Sequence, residues 1–246
     1  MPHKKNYFFL LLSITAIVGY CSIIYELILA QCLAIALGNT IVRYSVTIGL
    51  YLFSLGMGSL YLYFFPAKNS LKTLIIAEVL LALLGIFLPV LIVGSDHVLF
   101  KYMGQDSSLL SPQLCSWIFI HTIVVLIGFL SGVEVPLLME MVKVTEPLHQ
   151  DKAETLVLAT DYLATFIGAV SFPFFIYQKL GLLAGSAFAS LLNTGAILLL
   201  AIAFVPWRRS YGLLLFSTLA IAIAFSVMIH EGYLRQQLIT YLFAKS

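Results

Sequence analysis

Seven stretches of this chain are each about as long as a bilayer is thick and almost free of charge, which leaves few folds open. A membrane-crossing helix needs about 20 mainly apolar residues. The runs 7–37, 41–65, 71–94, 113–143, 153–178, 181–206 and 212–232 all qualify. Hydrocarbon offers no hydrogen bonds, so a spanning segment satisfies its own backbone by becoming a helix or joining a closed barrel. Runs of this length read as helices. The expected fold is all-α, a polytopic transmembrane helical bundle of about seven spans, forming a single integral-membrane domain over residues 1–246. Charged residues make up 10% of the chain and its mean hydropathy is +1.05, whereas soluble domains are about 25% charged.

The basic start at His3-Lys4-Lys5 resembles a secretory signal, but the apolar run behind it is too long for a removable segment. At 1.5 Å per residue it reaches about 46 Å, so the first span is expected to tilt or project. Connections are short, as in a helical bundle. The exception is 95–112, whose Asp96, His97, Lys101, Asp106 and paired serines read as a solvated loop with room for a surface helix at Val98–Met103. Small residues recur four apart at Ser54/Gly58, Ala164/Gly168 and Gly181/Gly185/Ala189, a spacing that lets helix backbones approach closely. Pro89, Pro136 and Pro173 fall inside spans, where each removes a backbone hydrogen bond and favours a kink.

Several function classes drop out. No basic stripe exists to track phosphates, so nucleic acid is not an expected partner; membrane lipid is. The cysteines at 21, 32 and 115 show no CxxC and no metal spacing, and read as buried thiols. Neither a metal site nor a cofactor is indicated: there is no HExxH, and Gly56-Met57-Gly58-Ser59 lies mid-span with no strand before it. Basic residues set orientation. Lys4, Lys5, Lys68, Lys72, Lys143, Lys152, Arg208 and Arg209 would share one side, against Arg43, Lys101, Lys179, Arg235 and Lys245 on the other. That bias favours an inside N-terminus and, with seven spans, an outside C-terminus.

The residues that carry chemistry are carboxylates inside apolar runs: Glu26, Glu78, Glu134 and Asp161. Charge within a membrane span is costly and marks a functional site by default. Counted from the span ends, Glu78, Glu134 and Asp161 share the leaflet half that faces the Lys-rich loops, while Glu26 lies nearer the midplane. Together they form a candidate substrate-binding set for a cation or a proton relay. The structural alternative is that each is satisfied locally by hydroxyls or amides. Glu134 is the strongest single candidate, because Ser131-Gly132-Val133-Glu134-Val135-Pro136 sets a carboxylate at a helix irregularity of the kind that lines transporter sites. Candidate flanking residues are Tyr25, Tyr162 and His121, although His121 lies toward the opposite face and on an apolar helix reads first as packing. No catalytic residue is assigned.

These segments also carry a resemblance. Tyr25-Glu26-Leu27, Gln31, Gly38-Asn39, Gly56-Met57-Gly58-Ser59, Gly132-Val133-Glu134-Val135-Pro136-Leu137, Asp161-Tyr162, Gly168, Phe172-Pro173, Gly181 and Asn193 occur in one order. Over roughly residues 15–200 the chain resembles the membrane domain of bacterial fused spermidine synthase-like (polyamine aminopropyltransferase-like) proteins. In that family a multi-span domain precedes a soluble aminopropyltransferase domain that binds decarboxylated S-adenosylmethionine and a diamine. The resemblance implies a bacterial inner-membrane location. Aminopropyl transfer is not assigned to this chain, whose sequence stops at Ser246, where the soluble domain would begin. A cytosolic domain at that point would need an inside C-terminus, against the charge bias.

Three functions follow as expectations. The leading one is a non-catalytic membrane module that binds or moves a cationic small molecule such as a polyamine through the carboxylates. The second is an anchor or assembly subunit that recruits a separately encoded soluble aminopropyltransferase-like enzyme or forms a homo-oligomer. The third, an enzyme acting on a lipophilic substrate with His121 and a carboxylate as acid and base, suffers from the depth separating those groups.

Overall fold

The computed structural model describes residues 3–37, 40–102, 112–145 and 150–243, and every regular element among them is helical. In order these are α1 (His3–Leu37), α2 (Thr40–Phe64), α3 (Ser70–Tyr102), α4 (Pro112–Thr145), α5 (Gln150–Ser171), a π-helical segment (Phe172–Leu180), α6 (Gly181–Phe204), α7 (Trp207–Ile229) and α8 (Glu231–Phe243). Six helical stretches are long and apolar enough to cross a membrane. The chain is a membrane protein with an all-α bundle fold.

The fifth stretch, Asp151–Phe204, has 54 residues and as one helix would be about 80 Å long, far beyond a bilayer. It folds back on itself. Gly181 adopts φ 76°, ψ −174°, a region essentially reserved for glycine. Past this turn Gly185 comes against Ile176, where an added Cβ would lie 2.7 Å from Ile176 Cγ2. The stretch therefore makes two legs, α5 with its π-helical extension and α6, so the bundle has seven legs. Glu231, the first residue of α8, reaches back to Gly181 at the start of α6, where a carboxylate complements the helix N-terminus.

The segment 95–112 departs from the sequence expectation of a loop. α3 continues through Ser95 to Tyr102, because the end of an apolar run does not by itself end a helix. Asp106, the serines beside it and Gly38-Asn39 lie outside the described residues. Pro89 and Pro136 sit inside α3 and α4, which run on past them, while Pro173 stands in the first turn of the π-helical segment.

Neighbouring legs alternate in direction, and two apolar layers record this. One gathers Leu11, Leu62, Leu74, Val142, Ala153 and Leu200, which are the starts of odd legs and the ends of even ones. The other gathers Leu33, Tyr51, Leu88, Ile120 and Phe172 from the opposite ends. α1 is the central helix, touching α2, α3, α4, α5 and α6, whereas α7 packs mainly on α6.

The tightest seam joins α2 to α4. A Cβ at Gly58 would collide with the Phe129 carbonyl, and one at Gly132 with the Leu55 carbonyl; at Gly128 it would lie 2.8 Å from the Tyr51 carbonyl. Ser59 Oγ donates to the Gly132 carbonyl at 2.7 Å across this seam. Hence α4 turns its glycine face to α2. Glu134, two residues on, is rotated about 200° around the helix and points the other way, toward α1 and α3.

Candidate functional site

The site is built where α1, α3, α4, α5 and α6 meet. Glu78 of α3 and Glu134 of α4 are fully buried, 0% and 2% exposed. Their carboxyls are close enough to interact directly, yet neither Glu78 oxygen has an aligned hydrogen-bond partner. Two negative charges so placed would repel by about 4 kcal/mol at 4 Å even in an effective dielectric of 20. The pair therefore calls for a positive counterpart, a proton or a cation. No Lys, Arg or His ion pair to either group exists among the described residues.

Asp161 is half-buried and adds to the field on Glu134. Its Oδ1 lies over Gly19 of α1, close enough that any Cβ there would collide with it. Thr165, one turn on, donates to the Gly19 carbonyl at 3.4 Å. Glycine at position 19 thus makes room on α1 for the carboxylate of α5.

α1 and α6 supply the remaining walls. Tyr25 packs its hydroxyl end against Gly85, where an added Cβ would lie 2.6 Å from Oη. It is 1% exposed, lies within electrostatic reach of Glu78 and Glu134, and its hydroxyl reaches the Ser190 side chain of α6 without an aligned hydrogen bond. Cys21, one turn earlier, donates to the Ala189 carbonyl at 3.3 Å, adjoins the Asn193 backbone and senses the same two glutamates. Ser186 and Ser190 of α6 donate to the Gly85 and Ala82 carbonyls of α3, the latter at 2.5 Å. Asn193 completes this polar stripe; it is 1% exposed and neither amide atom has a partner. Unsatisfied buried polar groups are rare and costly. Here the Glu78 carboxyl has only the Glu134 carboxyl beside it, the Tyr25 hydroxyl only Ser190, and the Asn193 amide no hydrogen-bond partner.

The other candidates stand elsewhere. Glu26 is 6% exposed and faces Tyr44 and Tyr51 of α2, apart from the pair. Between them lies a hydroxyl hub: Tyr51 Oη donates to the Ser22 carbonyl or the Ser131 hydroxyl, each at 3.1 Å. Tyr162 is corrected as a neighbour of the site, since it is 67% exposed on the outer face of α5. Adjacent residues on a helix point about 100° apart, so following Asp161 directs it to lipid. His121 is corrected likewise. It lies about 20 Å from Glu134 along α4, stacks on Trp117 at 4.1 Å, and holds the Trp117 carbonyl at 2.7 Å through Nδ1. No acid–base partnership with Glu134 is possible at that separation.

Cys21 and Asn193 line the same interior, whereas the sequence reading took the cysteines as buried thiols and gave Asn193 only as a landmark of the resemblance. The 186, 190, 193 spacing on α6 was the available signal, because it puts three polar side chains on one helical face. Among the described residues no set of three His, Cys, Asp or Glu side chains is grouped to hold a metal.

Comparison with known proteins gives a consistent relationship. The chain is 28% identical over 225 residues to a polyamine aminopropyltransferase of Leptospira interrogans, covering 92% of this chain and 41% of that protein. It is 26% identical over 226 residues to polyamine aminopropyltransferase 1 of Streptomyces coelicolor, covering 90% and 39%. With a polyamine aminopropyltransferase of Corynebacterium efficiens it shares 31% over 192 residues, 77% of this chain and 34% of that one. No family model and no solved structure matches. The chain spans about two fifths or less of the relatives it matches, and over that length it is related, as a bundle of membrane-length helices, to the polyamine aminopropyltransferase-like proteins.

Proposed function

We propose that this chain is a membrane module that binds a cationic or protonatable small molecule, such as a polyamine, at the Glu78–Glu134 pair, with Asp161 as an auxiliary carboxylate and Glu26 contributing from nearer the midplane. One observation carries this reading: two buried carboxyls sit together with no Lys, Arg or His ion-paired to either among the described residues, and the Asn193 amide on the neighbouring α6 is buried without a hydrogen-bond partner. Ammonium groups would neutralise the pair and donate to the free oxygens. The polyamine enters through the relatives' names, and the carboxyl chemistry comes from this chain's own residues. The charge bias favours an inner-membrane orientation with the N-terminus inside.

The test is binding and uptake of labelled spermidine by the full chain in proteoliposomes, against Glu134→Gln and Asp161→Asn. Loss of binding in Glu134→Gln with a lesser loss in Asp161→Asn supports the site. Equal behaviour of all three proteins refutes it.

One observation favours a second reading, a non-catalytic anchor for a soluble aminopropyltransferase-like enzyme. The chain spans only 41% and 39% of relatives named polyamine aminopropyltransferase, a relationship that a membrane anchor for such an enzyme would share. An anchor would show no spermidine-dependent stabilisation, and its carboxyl variants would alter only folding stability.

A further inference from the structure

We propose that Asn193 of α6 is a third acceptor beside the Glu78–Glu134 pair, and that the three together receive a primary ammonium group, the three-donor end of an alkylamine or polyamine. The proposal rests on the carboxyl-site reading above and adds a residue and a ligand class to it.

The register of the α3–α6 seam places Asn193. The two helices run antiparallel, and Ser186 donates to the Gly85 carbonyl while Ser190 donates to the Ala82 carbonyl. Each step along α6 is therefore matched by a step back along α3. Asn193 is seven residues after Ser186, and Glu78 is seven residues before Gly85. Seven residues are about 10.5 Å of rise and return to within about 20° of the starting direction. Equal displacements on the two helices bring Asn193 and Glu78 to one level, on the faces that the serine bonds turn toward each other. The helices stay packed beyond this level, since Leu74 and Ala77 share an apolar cluster with Ala196 and Leu200. α1 gives the same placement independently: Cys21 adjoins the Asn193 backbone and lies within electrostatic reach of Glu78 and Glu134.

Donor and acceptor chemistry then selects the ligand. Among the described residues seven buried side-chain polar atoms lack a hydrogen-bond partner, and four of them are Glu78 Oε1 and Oε2 and Asn193 Oδ1 and Nδ2. Glu78 and Asn193 are closed off, at 0% and 1% exposed, and no hydrogen bond joins them. Such groups are costly to leave unpaired. A primary ammonium carries three N–H donors and no acceptor. One donor each to Glu78, Glu134 and the Asn193 carbonyl uses all three. The second Glu78 oxygen is then left to accept from the Asn193 N–H, and the positive charge removes the repulsion within the pair. A quaternary ammonium brings the charge without a donor and leaves Asn193 Oδ1 unpaired. An alcohol brings one donor and no charge.

The test is displacement of labelled spermidine from the full chain in phosphatidylcholine nanodiscs by butylamine and by butyltrimethylammonium, which has the same chain and charge but no N–H. Butylamine is expected to displace at a concentration at least roughly tenfold lower, a difference of about 1.4 kcal/mol. Equal potency overturns the proposal and needs no variant. Asn193→Leu is expected to weaken spermidine by a similar factor and to narrow the preference for butylamine. Affinity equal to the parent's, or a loss that falls equally on both competitors, overturns the role of Asn193. Asn193→Ala is read in the same way and covers a leucine variant that does not fold. Glu134→Gln separates the two readings. If it abolishes spermidine binding while both Asn193 variants bind as the parent does, Asn193 alone is struck from the site. Absence of binding in the parent, or unchanged binding in Glu134→Gln, fails the carboxyl reading and this proposal with it.

Discussion

Gly132→Ala should separate α2 from α4, and the structure sets the scale. The new methyl would strike the Leu55 carbonyl oxygen and stand 2.8 Å from both Leu55 C and Cα, where ordinary contacts begin at 3.4 Å. Those atoms are backbone inside α2, so no rotamer change relieves the clash and the helices must part. Overpacking of this kind costs about 1–3 kcal/mol. The Ser59–Gly132 hydrogen bond at 2.7 Å would lengthen or break, adding about 0.6 kcal/mol by measurements inside membranes. Alanine's better helix propensity returns about 0.8–1.0 kcal/mol. The net expectation is a loss of about 0.6–2.8 kcal/mol. Gly58→Ala, which strikes the Phe129 carbonyl across the same seam, should behave alike. The double variant should cost less than the sum, because one separation accommodates both methyls. Gly56→Ala is the control: it is exposed and nothing lies within 4 Å of its added methyl. The assay is reversible unfolding in mixed micelles with increasing denaturing detergent. A Gly132→Ala protein as stable as the parent, or a Gly56→Ala protein as unstable as Gly132→Ala, would refute the seam.

Further outcomes follow from other sites. Gly181→Ala forces a side chain into φ 76° and should cost about 1–3 kcal/mol, read as lowered thermal stability and faster proteolysis at the α5–α6 turn; unchanged values would contradict the fold-back geometry. Tyr51→Phe removes the hub between Ser22 and Ser131 and should cost about 0.5–1.5 kcal/mol in the same detergent titration. Asn193→Leu removes an amide with no partner and should stabilise the unliganded protein, since an orphaned buried polar group costs about 1–3 kcal/mol; a lower midpoint would show that the amide is satisfied. Lys143→Ala breaks an exposed 2.9 Å pair with Glu154 and should shift stability by less than about 1 kcal/mol.

The fold class was legible before any coordinates, because bilayer thickness and backbone hydrogen bonding together dictate long apolar helices. Helix ends were less legible: hydropathy marks where an apolar run stops, while α3 continues to Tyr102. The depth of Glu78, Glu134 and Asp161 could be counted from the span ends, since rise per residue is fixed along a helix.

Which of these carboxylates meet depends on helix rotation and on which helices touch, and neither is written in one segment. Glu134 turns toward α3 because Gly128 and Gly132 commit the opposite face of α4 to α2. Tyr25 leaves its neighbour Glu26 and joins the glutamate pair because Gly85 of α3 admits its ring. Tyr162 goes to lipid although it follows Asp161. The sequence alone determined that carboxylates would stand within membrane-length apolar helices. Only the tertiary packing decided that Glu78 and Glu134 face each other, because glycine contacts on separate helices set the rotations that bring them together.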